Sequence, residues 1–337
     1  TSTKHFLYRI LSERYNVLMT PGNFNTTLGV VRTVREHLKP HHEVFIVEMG
    51  AKQRGDIKEI CDLVQPHVGI VTSVGEMHLE TFGSVENVAR TKFELIDALP
   101  KDGFGVVNID SQAAYDYLKS IERRVATYGI SRVEAEYRAV NVSYSPQQTS
   151  FDVAMQRGVD EGYATHILGR GNILNITGAL AVAEHLGVGV EARRRAVRQI
   201  EQIEHRLSMR RSAGITILDD AYNSNPTGAL MALEVLRDFA TDGARYVVTP
   251  GFVEMGARQY ANNRAFGEAI AHSGADGVYV VNAVNREAIT EGLADGGYDK
   301  ERISVVASFS EAMSELQPRL RVGDVVLYEN DLPDSFK

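Results

Sequence analysis

Three stretches of this chain carry residue types that could do chemistry. The first is Val71-Thr-Ser-Val-Gly-Glu-Met-His-Leu-Glu-Thr-Phe-Gly-Ser84, an apolar strand ending in a polar loop with His78, Glu76 and Glu80. It runs into a helix, Val85–Leu99, in which Val85, Val88, Ala89, Ile96 and Leu99 fall at helical spacing and define the face to be buried. Lys92 falls on that same face. A lysine there either snorkels its ammonium outward, the commoner outcome, or is buried with a depressed pKa, which yields a neutral amine that can react. The polar loop one strand end away supports the second. The next stretch is Glu43-Val-Phe-Ile-Val-Glu-Met49, whose Glu48 stands at the C-terminal end of a buried strand. Ligands of open α/β sheets bind at such ends, although an N-cap or loop partner for the next helix explains Glu48 equally well. The last is Asp219-Asp-Ala-Tyr-Asn-Ser-Asn-Pro226, rich in donors and acceptors for a nucleotide. Its Asn-Ser-Asn-Pro also makes a turn and caps a helix from Thr227. Both roles can hold together, and the paired aspartates tilt the reading toward function.

The elements that must position these groups alternate along the chain. An amphipathic helix (Phe6, Leu7, Ile10, Leu11) opens it without a methionine, which leads us to expect a missing upstream segment. A strand at Asn16–Met19, a Pro-Gly and Asn loop at Thr20–Thr27, and a helix with Val30, Val31, Val34 and Leu38 follow. Helices at Ile57–Val64 and 111–122 flank the strands Gly69–Val74 and Gly105–Asn108, and Ser84 with Glu86 makes a helix start. Alternation in Ala135–Tyr144 and Ser150–Met155 predicts an antiparallel hairpin. Gly169-Arg-Gly-Asn-Ile-Leu-Asn175 opens an alanine-rich helix to His185, whose small residues imply tight packing on a sheet or a ligand at its start. The Gly patterns at 169–174 and 187–192 follow no predicted strand, so neither reads as a dinucleotide fingerprint. After a helix at Arg193–Gln202, Glu204–Arg211 reads as a linker. Strands at Ile215–Leu218, Arg245–Thr249, Gly277–Val281, Ile303–Val306 and Asp324–Tyr328 then alternate with helices, which implies a mostly parallel, doubly wound sheet.

At 337 residues the chain is too long for one ordinary core, and we expect domains at 1–207 and 208–337. A formal net charge of −8 leaves no basic excess for general nucleic-acid binding. The single cysteine, Cys61, cannot make an internal disulfide and fits a reducing, cytoplasmic compartment. No run of about 18 apolar residues is present, so no membrane insertion is expected.

In combination these residues resemble the ATP-dependent Mur ligases. The matching segments are Thr20-Pro-Gly-Asn-Phe-Asn25, Val47-Glu-Met-Gly-Ala51 with Gly55-Asp-Ile57, His78-Leu-Glu-Thr-Phe-Gly-Ser84, Ala89-Arg-Thr-Lys-Phe-Glu94, Asn108-Ile-Asp110, Gly169–Asn175, His205-Arg-Leu207 and Asp219–Pro226. They span the chain in the family's order. The resemblance implies an α/β fold, with a P-loop-type, mostly parallel central sheet domain followed by a Rossmann-like C-terminal domain. It implies Mg2+ ligands at Glu48 and His78, joined by Lys92 as a carbamate and by Thr1, matching the P-loop threonine. It implies nucleotide contacts from Asn172, Asn175, Arg206, Asp220, Tyr222 and Asn223. The implied reaction uses ATP and an acyl phosphate, between domains that close, to join D-alanyl-D-alanine to a UDP-linked muramoyl tripeptide in a cytoplasmic monomer of peptidoglycan synthesis. Another amino-acid ligase of the superfamily, such as a folylpolyglutamate synthase, and a non-catalytic nucleotide-binding protein are the alternatives.

Three departures accompany the match. The phosphate loop and the family's N-terminal domain are not in the sequence, so the chain as given is expected to be an inactive fragment. Asn263 stands where the family has a histidine, and Glu329-Asn-Asp331 where a Lys-Gly-Ser-type segment is usual. Both lie in the domain that receives the amine, so they bear on which amine is accepted.

Overall fold

The computed structural model describes residues 1–74, 82–202, 207–221, 226–253 and 255–330. The chain forms two compact units, one of Thr1–Val142, Ser150–Thr165 and Asn172–Ile200, the other of Ser143–Thr149, His166–Gly171 and Glu201–Lys337. The division expected at 207/208 lies close to Ile200, and the hairpin tip at 143–149 joins the second unit.

The first unit begins with α1 (Ser2–Leu11), β1 (Val17–Met19), α2 (Thr27–His37), β2 (Val44–Ile46) and α3 (Asp56–Val64). β1 and β2 pair in parallel, Val17 opposite Val44 and Met19 opposite Ile46, as a sheet of their own. The run β3 (Val68–Val71), α4 (Val85–Ala98), β4 (Phe104–Asn108), α5 (Gln112–Leu118) and β5 (Ala126–Gly129) builds the larger sheet, parallel through β6 (Tyr137–Tyr144). β7 (Thr149–Met155) and β8 (Gly158–Thr165) complete its order β3-β4-β5-β6-β7-β8. Connections at 145–148 and 156–157 are too short for a crossover, so β6, β7 and β8 run antiparallel, as expected for the first pair. β8 has no sequence signal because its first half is exposed on both faces, leaving nothing to alternate.

α4 forms because Ser84, in extended conformation, accepts the Asn87 N–H at 3.2 Å and Glu86 occupies the first turn. The expected face of Val85, Val88, Ala89, Ile96 and Leu99 packs in the core, and the buried surface widens to take in Thr91 and Phe93. The cause is packing on two sides, against α3 and α5. Phe93 and Ile96 join Val71, Val107 and Ala114 in one cluster. In α6 (Arg170–His185) the small residues have a packing reason, since a Cβ on Gly178 would lie 2.8 Å from the Tyr128 ring. α7 (Val190–Arg198) ends the unit's helices.

The second unit comprises β9 (Ser208–Ser212), β10 (Ile215–Asp220), α8 (Pro226–Asp238), β11 (Arg245–Thr249), α9 (Gln259–Ala271), β12 (Gly277–Val281), α10 (Arg286–Asp295), β13 (Ile303–Val306), α11 (Phe309–Leu316) and β14 (Val325–Glu329). Its sheet order is β13-β12-β11-β14-β10-β9, parallel except for β9. The doubly wound expectation holds. The segment read as a linker supplies the antiparallel edge strand β9, whose Ser-Met-Arg-Arg-Ser is mostly exposed and so carries a polar sequence. β14 returns between β11 and β10, which sets three strand ends side by side where ligands of such sheets bind.

Candidate active site

In the first unit the chemistry-bearing residues gather after the C-terminal ends of β1, β2 and β3. Thr20, following β1, is fully buried, and its Oγ1 accepts the Glu48 N–H at 3.2 Å. The Gly50 N–H donates to the Asn25 carbonyl at 2.7 Å, which fixes the Pro-Gly loop against the chain after β2. Glu48 Oε1 accepts from Thr1 Oγ1 at 2.8 Å, while Oε2 lies 2.9 Å from Lys4 Nζ. Burial pushes the Glu48 carboxyl up, while the close contact with Lys4, the hydrogen bond from the Thr1 hydroxyl and the Lys4 charge pull it down, below its ordinary value.

Lys92 is half-buried on α4, and its Nζ donates to the Ser73 carbonyl at 2.5 Å, just beyond β3. Desolvation pushes its pKa down, the second of the two outcomes open to a lysine on that face. Glu94 on the same helix accepts the Gly55 N–H at 2.9 Å and the Lys58 N–H at 3.0 Å, fastening α4 to the start of α3. Ala51 packs against the α4 core, so the segment after Glu48 and the helix of Lys92 share one scaffold. Asn108 donates to the Thr72 carbonyl at 2.5 Å, and Asp110 accepts the Ile130, Ser131 and Arg132 N–H groups, holding the neighbouring strand ends. His78, and with it Glu76 and Glu80, lies outside the described residues.

Asn172 and Asn175 are half-buried in the first turns of α6. In the second unit Asp220 closes β10, and its Oδ1 accepts the Leu207 N–H at 2.8 Å. Asp220 therefore fixes the chain just after Arg206. Arg206, Tyr222 and Asn223 themselves lie outside the described residues. The two departures noted in the C-terminal half meet on one loop. Asn263 is fully buried, accepts the Phe252 N–H at 2.8 Å and donates to the Phe252 and Gln259 carbonyls at 2.9 Å. Asn330, just past β14, donates to the Gly251 carbonyl at 2.6 Å, and Asn285 donates to Pro250 and Phe252. Gly251 has φ +73°, and a Cβ there would collide with Asn263 Oδ1 at 2.2 Å. Asn263 thus shapes the loop after β11.

Lys4 is the residue that sequence reasoning missed. It lies in the apolar stripe of α1 just as Lys92 lies in that of α4, and the same question put to the first helix finds it. Among the described residues no group of three or more His, Cys, Asp or Glu side chains is arranged to hold a metal ion. The pairing of Thr1 Oγ1 and Glu48 Oε1 nevertheless fits Mg2+, because 2.8 Å is close to the roughly 3 Å edge between neighbouring ligands of an octahedral ion at about 2.1 Å. No helix of the described residues is long and apolar enough to cross a membrane.

Comparison with known proteins finds family matches along both halves of the chain. The Mur ligase middle domain matches residues 1–183, and the Mur ligase, glutamate ligase domain matches residues 205–328. A UDP-N-acetylmuramoyl-tripeptide–D-alanyl-D-alanine ligase of Bacillus subtilis is 26% identical over 330 residues, 98% of this chain and 70% of that protein. One of Mycobacterium tuberculosis is 31% identical over 350 residues, 97% of this chain and 67% of its own length. A crystal structure of the MurF ligase of Thermotoga maritima in complex with ADP superposes with a TM-score of 0.76 at 26% identity, covering 98% of this chain and 73% of that one. A MurF structure from Acinetobacter baumannii gives a TM-score of 0.79 at 25% identity, covering 98% and 71%.

Proposed function

The chain belongs to the Mur ligase family, and from that membership we propose that it carries the catalytic and amine-receiving parts of an ATP-dependent ligase joining D-alanyl-D-alanine to UDP-N-acetylmuramoyl-tripeptide. One observation supports the reading at the level of residues: Glu48 follows β2 and Lys92 reaches from α4 to Ser73 just beyond β3, Glu48 held below its ordinary pKa and Lys92 desolvated toward its neutral amine.

The chemistry divides into two displacements. The tripeptide carboxylate attacks the γ-phosphorus of ATP, forming an O–P bond as the bond to ADP breaks, and the acyl phosphate results. The neutral amine of D-alanyl-D-alanine then attacks the acyl carbon, the amide bond forms as the nitrogen gives up a proton, and inorganic phosphate leaves with the electron pair of the broken C–O bond and takes up that proton. Charge develops on phosphoryl and carbonyl oxygens, so the barrier yields to fixed positive charge in a site closed to water. Bound Mg2+ supplies that charge, and Thr1, Glu48, His78 and carbamylated Lys92 would hold it.

The side-chain roles follow from state and place. CO₂ adds only to a free amine, and desolvation raises the neutral fraction of Lys92; the N–C bond forms with loss of one proton, leaving an anion where a cation stood. By the family resemblance Asn172 and Asn175 at the start of α6 and Asp220 at the end of β10 would contact the nucleotide, as would Arg206, Tyr222 and Asn223. The Asn-braced loop after β11 would help receive the amine.

The test is phosphate release from ATP by the full natural protein. We expect release that requires both UDP-N-acetylmuramoyl-tripeptide and D-alanyl-D-alanine, with D-alanine, L-glutamate and other single amino acids poor acceptors. A preference for L-glutamate with a folate would move the protein to the folylpolyglutamate synthase branch. Nucleotide binding without turnover on any acceptor would make it a non-catalytic member.

A further inference from the structure

Lys4 takes no part in the steps above, yet it is the most deeply buried cation beside the site. Its side chain is 3% exposed, its Nζ donates to the Gly22 carbonyl at 2.7 Å, and it stands 2.9 Å from Glu48 Oε2. It joins α1, the Pro-Gly loop and the end of β2. The two oxygens of Glu48 are therefore divided. Oε2 is buried and forms an ion pair with Lys4 Nζ at 2.9 Å without an aligned hydrogen bond, and Oε1 accepts from Thr1 Oγ1 at 2.8 Å.

We propose that Lys4 is a positioning residue that holds Glu48 Oε2 so that only Oε1, beside Thr1 Oγ1, is offered to a divalent cation. The inference rests on the reading of Glu48 as a metal ligand. Its physical content concerns coordination number. A carboxylate with both oxygens available can bind bidentately, which suits the larger Ca2+ with its 6–8 ligands. Mg2+ demands near-ideal octahedral geometry with one oxygen at each position. Occupying the second oxygen with a fixed ammonium restricts Glu48 to monodentate binding and favours the small ion. The backbone bond from the Glu48 N–H to Thr20 Oγ1 removes the remaining freedom at the root of the side chain. Lys4 also pays an electrostatic toll, since its charge repels the incoming cation, so its benefit lies in geometry and not in attraction.

The experiment measures Mn2+ affinity by electron paramagnetic resonance on the full natural protein with a non-hydrolysable ATP analogue, with Ca2+ as competitor. Loss of partners that orient a metal ligand weakens binding about 10- to 100-fold. Lys4→Met should therefore bind Mn2+ at least about tenfold more weakly and give way more readily to Ca2+. In a Glu48→Gln background Lys4→Met should add no further loss, because Lys4 acts through that carboxylate. Unchanged or tighter Mn2+ binding in folded Lys4→Met overturns the proposal, and so does an equal loss in both backgrounds. Lys4→Gln repeats the series should the methionine variant fail to fold. A structure of the wild-type protein with Mn2+ bound needs no variant. Glu48 ligating through Oε1 alone, with Lys4 still on Oε2, supports the role; bidentate ligation or a detached Lys4 overturns it. A wild-type site with no cation at Glu48 overturns the metal reading itself.

Discussion

Lys4 of α1 and Lys92 of α4 occupy the same kind of place, a basic residue inside an apolar helical stripe, and the surroundings give them opposite characters. Lys4 lies in the first turn of its helix, where the dipole disfavours a cation, and Glu48 supplies the anion that offsets both. Lys92 lies in the middle of its helix and, among the described residues, meets only the neutral Ser73 carbonyl. Desolvation pushes the Lys92 amine toward neutrality. One lysine is thereby a fixed charge that organises a carboxylate, and the other is a latent nucleophile. Position in the stripe says that a lysine is unusual; what lies opposite its ammonium decides what it does.

The comparison is most easily broken through activity. Lys92→Ala should lower kcat by about 10³-fold or more, the scale of losing charge stabilisation at a phosphoryl or acyl centre. Formate or acetate should restore part of it by standing in for the carbamate. Steady-state phosphate release in the full natural protein, with and without added carboxylate, measures both. Activity unchanged in Lys92→Ala would end the carbamate reading. Lys4→Met should instead show its largest effect on stability. Removing one partner of a buried pair costs about 3–5 kcal/mol, and because Glu48 keeps some access to water we expect about 2–3 kcal/mol here, read by urea unfolding. A loss below about 0.5 kcal/mol, the range of ordinary surface changes, would show that the Lys4–Glu48 contact is too weak to organise anything.

Much of this was readable from residue patterns, and the interior strand Ala126–Gly129 was not, being only four residues long. The parallel strands of the second unit, Gly277–Val281 for example, are buried along their whole length and so announce themselves as apolar runs. β8 and β9 are exposed edge strands whose backbone pairing leaves no trace in side-chain polarity. Lys92 was legible because five apolar neighbours frame it over several turns. Lys4 sits in a first turn with framing on one side only, and its partner Glu48 is distant in sequence. Likewise Asn263 and the Glu329–Asp331 stretch read as unrelated departures, and only the fold brings Asn263 and Asn330 onto the same Gly251–Phe252 backbone. Contacts of that kind are set by strand order, which side-chain periodicity does not encode.

The smallest expected effect separates the two lysines by pH. A lysine with a lowered folded-state pKa binds fewer protons when folded than when unfolded, between that value and the unfolded value of about 10.4. Stability therefore rises with pH across this window and is lost as pH falls through the folded pKa, below which the deficit is constant. Lys92→Met removes the deficit. The variant should be more stable than the parent near pH 7, and its advantage should shrink as pH climbs toward 10. Urea melts of parent and variant in CO₂-free buffer give the difference directly, and other alkaline titrations, such as that of Cys61 with its thiol pushed up to about 11, cancel in the subtraction. The same subtraction for Lys4→Met should show a loss of stability near pH 7, opposite in sign. If Lys92→Met also proved destabilising near pH 7, the Lys92 ammonium would have an anionic partner in the folded chain, and the distinction between the two lysines would collapse.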